Sequence, residues 1–191
     1  MKTTMVIPAK GHSERVHNKN LYKINGKTLV EIACERALNC QNISEVYLDT
    51  ESEDIKLHIR HLLGRGLKII DRPKELATNR IGANEMLIYA LHMVEDTDLL
   101  LQSFATSPII TSQTIDRCIE EFLNSSDEYD SFFTTSTMKE YLWSTQSNPM
   151  NFDIKELPNS QTLEPIYVET HGLYGILVST LLESKTRIGK K

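Results

Sequence analysis

The chain has 191 residues, enough for one domain with a sizeable core, and its hydrophobic fraction of 40% and charged fraction of 25% are typical of a globular protein. Its formal net charge of −5 argues against nucleic acid as the main partner, because duplex-binding proteins usually carry a basic surplus. A small anionic ligand remains compatible with this charge, since it requires only a local basic pocket.

Cysteine usage and hydropathy indicate the compartment. The three cysteines, Cys34, Cys40 and Cys118, form no CxxC pair, so zinc and redox motifs have no support. A sparse, odd set fits reduced thiols in the cytoplasm. The apolar run 5–7 is too short for a signal peptide, and no stretch approaches the roughly 20 apolar residues of a membrane helix. We therefore expect a cytoplasmic protein with no membrane contact.

Short apolar runs alternate with amphipathic segments along the chain. The predicted strands are 5–7, 46–48, 67–70, 99–101 and 132–135, and the predicted helices are 28–37, 52–63, 82–94 and 111–123. Thr28 with Glu31 has the spacing of a capping box, and Ser52 is a candidate N-cap. The alternation predicts an α/β fold with a mostly parallel central sheet and helices on both faces.

Sheets of this kind bind ligands beyond the carboxyl ends of their strands. The segment after the first predicted strand is long for a connector and carries Lys10, Arg15 and Lys19, the cationic donors that a triphosphate requires. Gly11 would permit close approach of the backbone to a phosphate. The loop matches neither the Walker A pattern nor GxGxxG. From residue types alone, a phosphate-binding loop and a solvated basic loop both stay open.

Five motifs follow one another along nearly the whole chain. They are IPAKGHS with NKNL in 7–21, DTESEDI in 49–55, RPKELA in 72–77, LLQSFATSP in 100–108 and VETHGLY in 168–174. In this order they resemble the signature segments of the acylneuraminate (CMP-sialic acid synthetase-type) cytidylyltransferases. The resemblance implies a three-layer, Rossmann-like nucleotidyltransferase fold. It also implies transfer of CMP from CTP to a nonulosonic, sialic-acid-like sugar acid, with release of pyrophosphate, for surface glycan synthesis.

The resemblance also assigns roles to individual residues. The nucleotide-binding residues would be Pro8, Ala9, Lys10, Ser13, Lys19, Asn20, Arg72 and Gln102, of which Lys10, Lys19 and Gln102 would also be catalytic. The sugar-binding residues would be Lys139, Glu169, His171 and Tyr174. Magnesium would bridge phosphate oxygens, and the segment 144–164 would be a flap or an arm that joins two copies in a homodimer.

The sequence departs from the family pattern in four places. Where the family has G-S, this chain has Gly11 and His12 followed by Ser13 and Glu14, and His12 and Glu14 reduce the local positive charge. Lys10 replaces the usual arginine, which keeps the charge but loses the bidentate fork. The segment 102–108 is two residues longer than the family's Q-P-T-S-P. The family's C-terminal D-x-D-type carboxylate pair has no counterpart, so no metal ligand is identified. We expect residues 1–191 to form a single nucleotidyltransferase domain that lacks the family's C-terminal segment.

Three alternative functions remain at this stage. The chain could transfer CMP to another 2-keto-3-deoxy acid such as Kdo, pseudaminic or legionaminic acid, although the segment 18–20 favours the nonulosonic branch over the Kdo branch. It could be a truncated or non-catalytic form that binds CTP. A dinucleotide-dependent dehydrogenase fits the strand and helix alternation only, because the glycine fingerprint is missing.

Overall fold

The computed structural model of the protein describes residues 1–13, 16–78 and 80–191. Its strands are β1 (Thr3–Pro8), β2 (Lys23–Ile24), β3 (Lys27–Thr28), β4 (Glu45–Thr50), β5 (Leu67–Asp71), β6 (Leu99–Ser103), β7 (Ser131–Met138) and β8 (Ile166–Leu177). Its α-helices are α1 (Leu29–Leu38), α2 (Glu53–Ile59), α3 (Ala83–Met93), α4 (Ser112–Leu123) and α5 (Val178–Ser184). Short 3₁₀ helices occupy Lys19–Leu21, Arg60–Arg65, Lys74–Ala77 and Ser160–Thr162.

Six strands form one sheet in the order β5-β4-β1-β6-β8-β7, and β2 pairs with β3 in a separate hairpin. The pairs β5–β4, β4–β1 and β1–β6 are parallel, whereas β8 runs antiparallel to β6. The prediction of a mostly parallel α/β sheet is therefore confirmed. Purely apolar runs such as 99–101 are expected in such a sheet, because its strands are buried on both faces.

Two apolar cores flank the sheet. On one face, Met5 and Ile7 of β1 pack with residues of α1, α2 and α4. On the other face, Val6 packs with Leu87 of α3 and Leu181 of α5. This alternation along one strand gives the three layers that the sequence predicts.

The predicted helix starts agree with the structure. The Thr28 hydroxyl accepts a hydrogen bond from the Glu31 N–H at 3.2 Å, and the Glu31 carboxylate accepts one from the Thr28 N–H at 2.7 Å, which completes the capping box. Ser52 caps α2 through the Ile55 N–H. The α-helical geometry of α2 ends at Ile59 and continues as 3₁₀, so the predicted helix 52–63 was too long as an α-helix.

The sequence did not predict β8 or α5. The first half of β8 is largely exposed and lacks a buried alternation, and its buried half contains two glycines, which weaken the strand signal. Gly175 is required there by packing, because a Cβ at this position would lie 2.1 Å from the Phe132 ring.

The chain divides into two compact units, residues 1–133 with 171–191, and residues 134–170. In the second unit, Tyr141 and Trp143 pack edge-on against Phe152. The predicted arm 144–164 lies within this unit.

The cysteines behave as core thiols. Burial raises the pKa of Cys34 and of Cys40 to about 12, and it also raises the pKa of Cys118. None of the three forms a disulfide, and the raised pKa values favour the protonated thiols near neutral pH. Among the described residues, no helix has the length and apolarity that crossing a bilayer requires.

We predict that Gly175→Ala lowers the free energy of unfolding by about 1–3 kcal/mol, because the added methyl overpacks the contact with Phe132. Gly64→Ala is the matched control, since a Cβ there meets nothing within 4 Å, and we expect it to change stability by less than about 1 kcal/mol. Urea denaturation of both variants measures the difference. Equal stability of the two variants would contradict the packing argument.

Candidate functional site

A cavity of about 240 Å³ opens beyond the carboxyl ends of β1, β5 and β6, within the first unit. This is the edge of the sheet at which parallel α/β folds bind ligands. The lining residues are Pro8, Lys10, Ser13, Lys19, Asn20, Arg72, Leu76, Ala77, Thr78, Ile81, Met86, Phe104, Ala105 and Thr106. Six of the eight predicted nucleotide-binding residues are among them. Glu14 and Arg15 of the same loop, and Asn79, lie outside the described residues.

The lining combines cationic and apolar residues. Lys10, Lys19 and Arg72 contribute positive charge, and none of the described lining residues is a carboxylate. Leu76, Met86 and their apolar neighbours supply a surface against which a flat ring can pack. Cationic side chains in a concave site attract anions. The cavity therefore suits a ligand with both phosphate groups and an apolar face.

Hydrogen bonds fold the loop after β1 against the end of β4. The Ala9 N–H donates to the Asp49 carbonyl at 2.9 Å, and the Gly11 N–H donates to Glu51 Oε1 at 2.7 Å. Asn20 Nδ2 closes the loop on the Lys10 carbonyl at 2.9 Å. Ala9 is buried and acts through its backbone. These bonds present Lys10 and Lys19 to the cavity.

Gly11 has a packing role that sequence reasoning did not predict. A Cβ at Gly11 would lie 2.7 Å from the Ser52 Cβ. The missing side chain thus allows the loop to approach the N-terminus of α2. The close approach that the sequence suggested for a phosphate is, in the structure, an approach to Ser52.

Arg72 forms a buried ion pair with Asp49. Its guanidinium donates from Nε to Asp49 Oδ1 at 2.9 Å and from an Nη to Oδ2 at 2.6 Å, and it also reaches the Asp49 carbonyl at 3.0 Å. Arg72 is only 3% exposed, so this ion pair is buried and does not lie at the surface. Burial raises the pKa of the Asp49 carboxyl, and hydrogen bonding to Arg72 opposes that rise.

Asp49 and Glu51 were not predicted as site residues. Asp49 lies at the end of β4, and Glu51 directly follows that strand. Glu51 Oε2 is 4.0 Å from Nη1 of Arg72, the guanidinium nitrogen that does not bond to Asp49. The signal that could have identified them is a pair of carboxylates directly after a buried strand, at the ligand edge of a parallel sheet.

Gln102 is the next-to-last residue of the buried strand β6 and is 1% exposed. Its Oε1 makes no hydrogen bond to any residue that the structure describes. A buried amide oxygen without a partner is uncommon and suggests a ligand or water that completes it. Gln102 is not among the cavity-lining residues, so a contact with the nucleotide stays a prediction.

The four predicted sugar-binding residues fall into different parts of the chain. Lys139 and Glu169 belong to the second unit, where Lys139 Nζ donates to the Gln161 carbonyl at 3.0 Å. His171 and Tyr174 belong to the first unit, and His171 Nδ1 lies 2.6 Å from the Tyr174 hydroxyl.

Tyr174 is buried rather than open to a ligand, and neither it nor His171 lines the cavity. Its ring packs edge-on against Phe104 of the cavity wall, and the Arg187 guanidinium stacks over it at 3.9 Å. Sequence reasoning did not identify Arg187. The geometry gives Tyr174 a role in supporting the wall.

The side chains described do not form a metal centre by themselves. Across residues 1–13, 16–78 and 80–191, no group of three or more His, Cys, Asp or Glu side chains is placed to hold a metal ion. Asp49 is already engaged by Arg72, and Glu51 by the Gly11 N–H. These residues therefore do not fit a protein-built metal centre.

Comparison with known proteins agrees with this geometry. A family model described as Cytidylyltransferase matches residues 4–175. A pseudaminic acid cytidylyltransferase of Campylobacter jejuni is 26% identical over 68% of this chain and 56% of its own length. A 3-deoxy-manno-octulosonate cytidylyltransferase of Hydrogenovibrio crunogenus is 30% identical over 72% of this chain and 53% of its own. The chain thus spans about half the length of these curated relatives.

A solved structure shows the same fold. It is a CMP:2-keto-3-deoxy-manno-octonic acid synthetase complexed with CTP, and it superposes with a TM-score of 0.70 over 96% of this chain and 77% of its own, at 18% identity. At that identity the likeness establishes the architecture alone.

We predict that Arg72→Met lowers the free energy of unfolding by about 3–5 kcal/mol, because it leaves the Asp49 carboxylate buried without its cation. Arg117→Met removes a cation from an exposed pair with Glu121 and should cost less than about 1 kcal/mol. The double variant Asp49→Asn/Arg72→Met should recover part of the stability. Denaturant unfolding tests all three, and a cost for Arg72→Met as small as that of Arg117→Met would overturn the assignment of a buried pair.

Proposed function

Because this chain belongs to the cytidylyltransferase family, we propose that it transfers CMP from CTP to a nonulosonic, sialic-acid-like sugar acid and releases pyrophosphate. The reaction would supply an activated sugar for surface glycans, in the cytoplasm where CTP is available. The observation that carries the proposal is the cavity, which groups Lys10, Lys19 and Arg72 with apolar residues beyond the carboxyl ends of the parallel strands.

The enclosed part of the cavity suits the nucleoside end of CTP. Its volume of about 240 Å³ is smaller than the roughly 300–1,000 Å³ of most small-molecule sites, so part of the ligand would extend outside. The base would pack on the apolar wall of Leu76, Ile81 and Met86. The triphosphate would extend toward Lys10 and Lys19, with Ser13 and Asn20 as polar contacts.

The chemistry requires no nucleophilic side chain. The anomeric hydroxyl of the sugar acid attacks the α-phosphorus of CTP and gives up its proton to solvent water, while the bond from that phosphorus to the bridging oxygen breaks and pyrophosphate leaves. Negative charge accumulates on the phosphate oxygens during this displacement. Lys10 and Lys19 would stabilise that charge, and the folded loop would hold them in place before substrate arrives.

The acceptor class is supported by the relatives. Their printed names specify pseudaminic acid, 3-deoxy-manno-octulosonate and 8-amino-3,8-dideoxy-manno-octulosonate. These acceptors share a 2-keto-3-deoxy acid group, whose carboxylate would require a cationic or hydrogen-bonding partner in the protein. We favour a nonulosonic acid because of the segment 18–20, and the relatives make the octulosonates the second candidates.

Magnesium is part of the proposal through the family resemblance. Proteins often bind this ion through one or two carboxylates together with substrate phosphates, so a site completed by CTP would not require a full set of protein ligands. Loss of pyrophosphate release in the presence of a chelator, with recovery on adding magnesium, would support it. Full activity in the chelator would contradict it.

The assay that tests the function is pyrophosphate release from CTP with separate nonulosonic and octulosonic acids. Release that depends on one acceptor would establish the transferase and identify its sugar. CTP binding by calorimetry without release at any acceptor would indicate the non-catalytic form. If the chain neither binds CTP nor releases pyrophosphate, the proposed function is wrong.

We predict that Lys10→Met and Lys19→Met each weaken CTP binding by about 10- to 100-fold, because each removes a charged donor to the triphosphate. Lys27→Met is the matched control, since Lys27 is an exposed lysine that pairs with Glu35 outside the cavity lining. Calorimetric titration with CTP measures all three. Equal affinities of Lys10→Met, Lys19→Met and Lys27→Met would exclude the loop as the triphosphate site.

A homodimer is a further part of the proposal. Within the second unit, Met150, Ile154 and Leu157 are exposed although apolar, and all three fall in the segment 144–164. Exposed apolar side chains grouped in one segment are typical of a surface that another protein covers.

We predict a dimeric mass in sedimentation at micromolar concentration, and a shift to the monomer for Leu157→Asp. Leu57→Asp, a similarly exposed leucine on α2, should leave the dimer intact. A monomeric mass of the wild type would refute the homodimer.

A further inference from the structure

Helix α1 buries an arginine in its apolar face. Arg36 is 7% exposed and shares that face with Ala33 and Ala37. Burial lowers the pKa of its guanidinium, yet an arginine remains charged in proteins. Removing such a charge from water is costly unless hydrogen bonds or counter-charges compensate, so its place in this core requires an explanation.

The hydrogen bonds of Arg36 go to neutral oxygens of the segment that follows β6. One Nη donates to the Ser107 carbonyl at 2.7 Å, and the other donates to the Ser103 Oγ at 2.9 Å. The Ile110 carbonyl is 3.5 Å from the first nitrogen, and Nε makes no hydrogen bond within the described part of the chain. The same part of the chain holds no carboxylate in an ion pair with Arg36.

These contacts lie on either side of a short loop that forms the cavity wall. Ser103 is the last residue of β6, and the three residues between it and Ser107 are Phe104, Ala105 and Thr106, all of which line the cavity. A planar guanidinium with a fixed fork can hold two such points at a set separation, which a lysine cannot do. Arg36 thus bridges the two ends of this loop, and it does not itself line the cavity.

The same two serines connect the loop to β8. Ser103 Oγ donates to the Gly172 carbonyl at 2.8 Å, and Ser107 Oγ donates to the His171 carbonyl at 3.2 Å. His171 has a left-handed backbone with φ of 54°, which is unfavourable for a residue other than glycine and requires surrounding contacts to hold it. These hydrogen bonds therefore form one network, which connects Arg36 of α1 through the two loop serines to β8.

We propose that Arg36 is a positioning residue for the nucleotide site. Its guanidinium holds Ser103 and Ser107, the two ends of the loop 103–107, at a fixed separation. The residues between them, Phe104, Ala105 and Thr106, then form the wall that the nucleotide contacts. The identity of that ligand rests on the proposed function. A methionine of similar length would fill the same space without a buried charge, and such replacements are often tolerated. The loss should therefore appear in loop order and CTP affinity rather than in folding.

The test compares Arg36→Met and Arg36→Lys with the surface control Arg117→Met. Amide hydrogen exchange is measured first, without CTP, on peptides that cover 103–111. We expect exchange to be about tenfold faster or more in Arg36→Met, intermediate in Arg36→Lys and unchanged in Arg117→Met. Calorimetry with CTP should show a parallel weakening of about tenfold or more.

Exchange and CTP affinity in Arg36→Met equal to those of Arg117→Met would overturn the proposal. If Arg36→Met does not fold, Ser103→Ala replaces it, because it removes one acceptor of the guanidinium together with the bond to Gly172. If the wild type itself does not bind CTP, the proposed function fails, and the exchange comparison alone then decides whether Arg36 orders the loop.

Discussion

The cavity depends on Asp49, which holds the ends of three strands together. Its carboxylate binds the Arg72 guanidinium after β5, and its carbonyl accepts hydrogen bonds from Arg72 and from the Ala9 N–H after β1. Parallel strands end at the same edge of a sheet, but their loops diverge unless something joins them. Since the pair is buried, each partner requires the other, because an isolated charge would be far more costly than the pair. The loop that carries Lys10 and the segment that carries Arg72 are thus fixed before any ligand binds.

This arrangement leaves positive charge facing the cavity in a protein whose overall charge is negative. The guanidinium of Arg72 is largely neutralised by Asp49, so the attraction for an anion falls mainly to Lys10 and Lys19. Apolar lining such as Leu76 lowers the local dielectric constant and strengthens the field of those lysines at short range, whereas exposed charges more than about 10 Å away are largely screened by salt. The net charge of the chain therefore predicts little about which ligand a site of this size binds, whereas the charges that line the site predict much.

The sequence predicts the parts of the fold that local chemistry determines. The strand 99–101 and the capping box of Thr28 depend on neighbouring residues, and the structure confirms both. By contrast, β8 depends on Gly175 making room for Phe132, a residue more than forty positions away in the chain. The use of Gly11 against Ser52 and the burial of Arg36 are also set by distant partners. A single sequence shows a glycine or an arginine at such positions, but not the group that it meets.

The two buried arginines, Arg72 and Arg36, differ in the groups that bind their guanidinium. Arg72 is matched by a carboxylate, so its pair is held by opposite charges and joins the ends of two neighbouring strands. Arg36 is matched by a carbonyl and a hydroxyl, which are weaker partners but lie at defined points of a loop. Apolar residues could fill either site, yet they cannot select one loop conformation among several, since dispersion contacts have little directionality. A cavity wall made of a phenylalanine, an alanine and a threonine has no hydrogen-bond ladder of its own. The shape of this wall must then be fixed by a residue that does not itself line the cavity. The guanidinium of an arginine suits that role, because its donors are held in a rigid, planar fork.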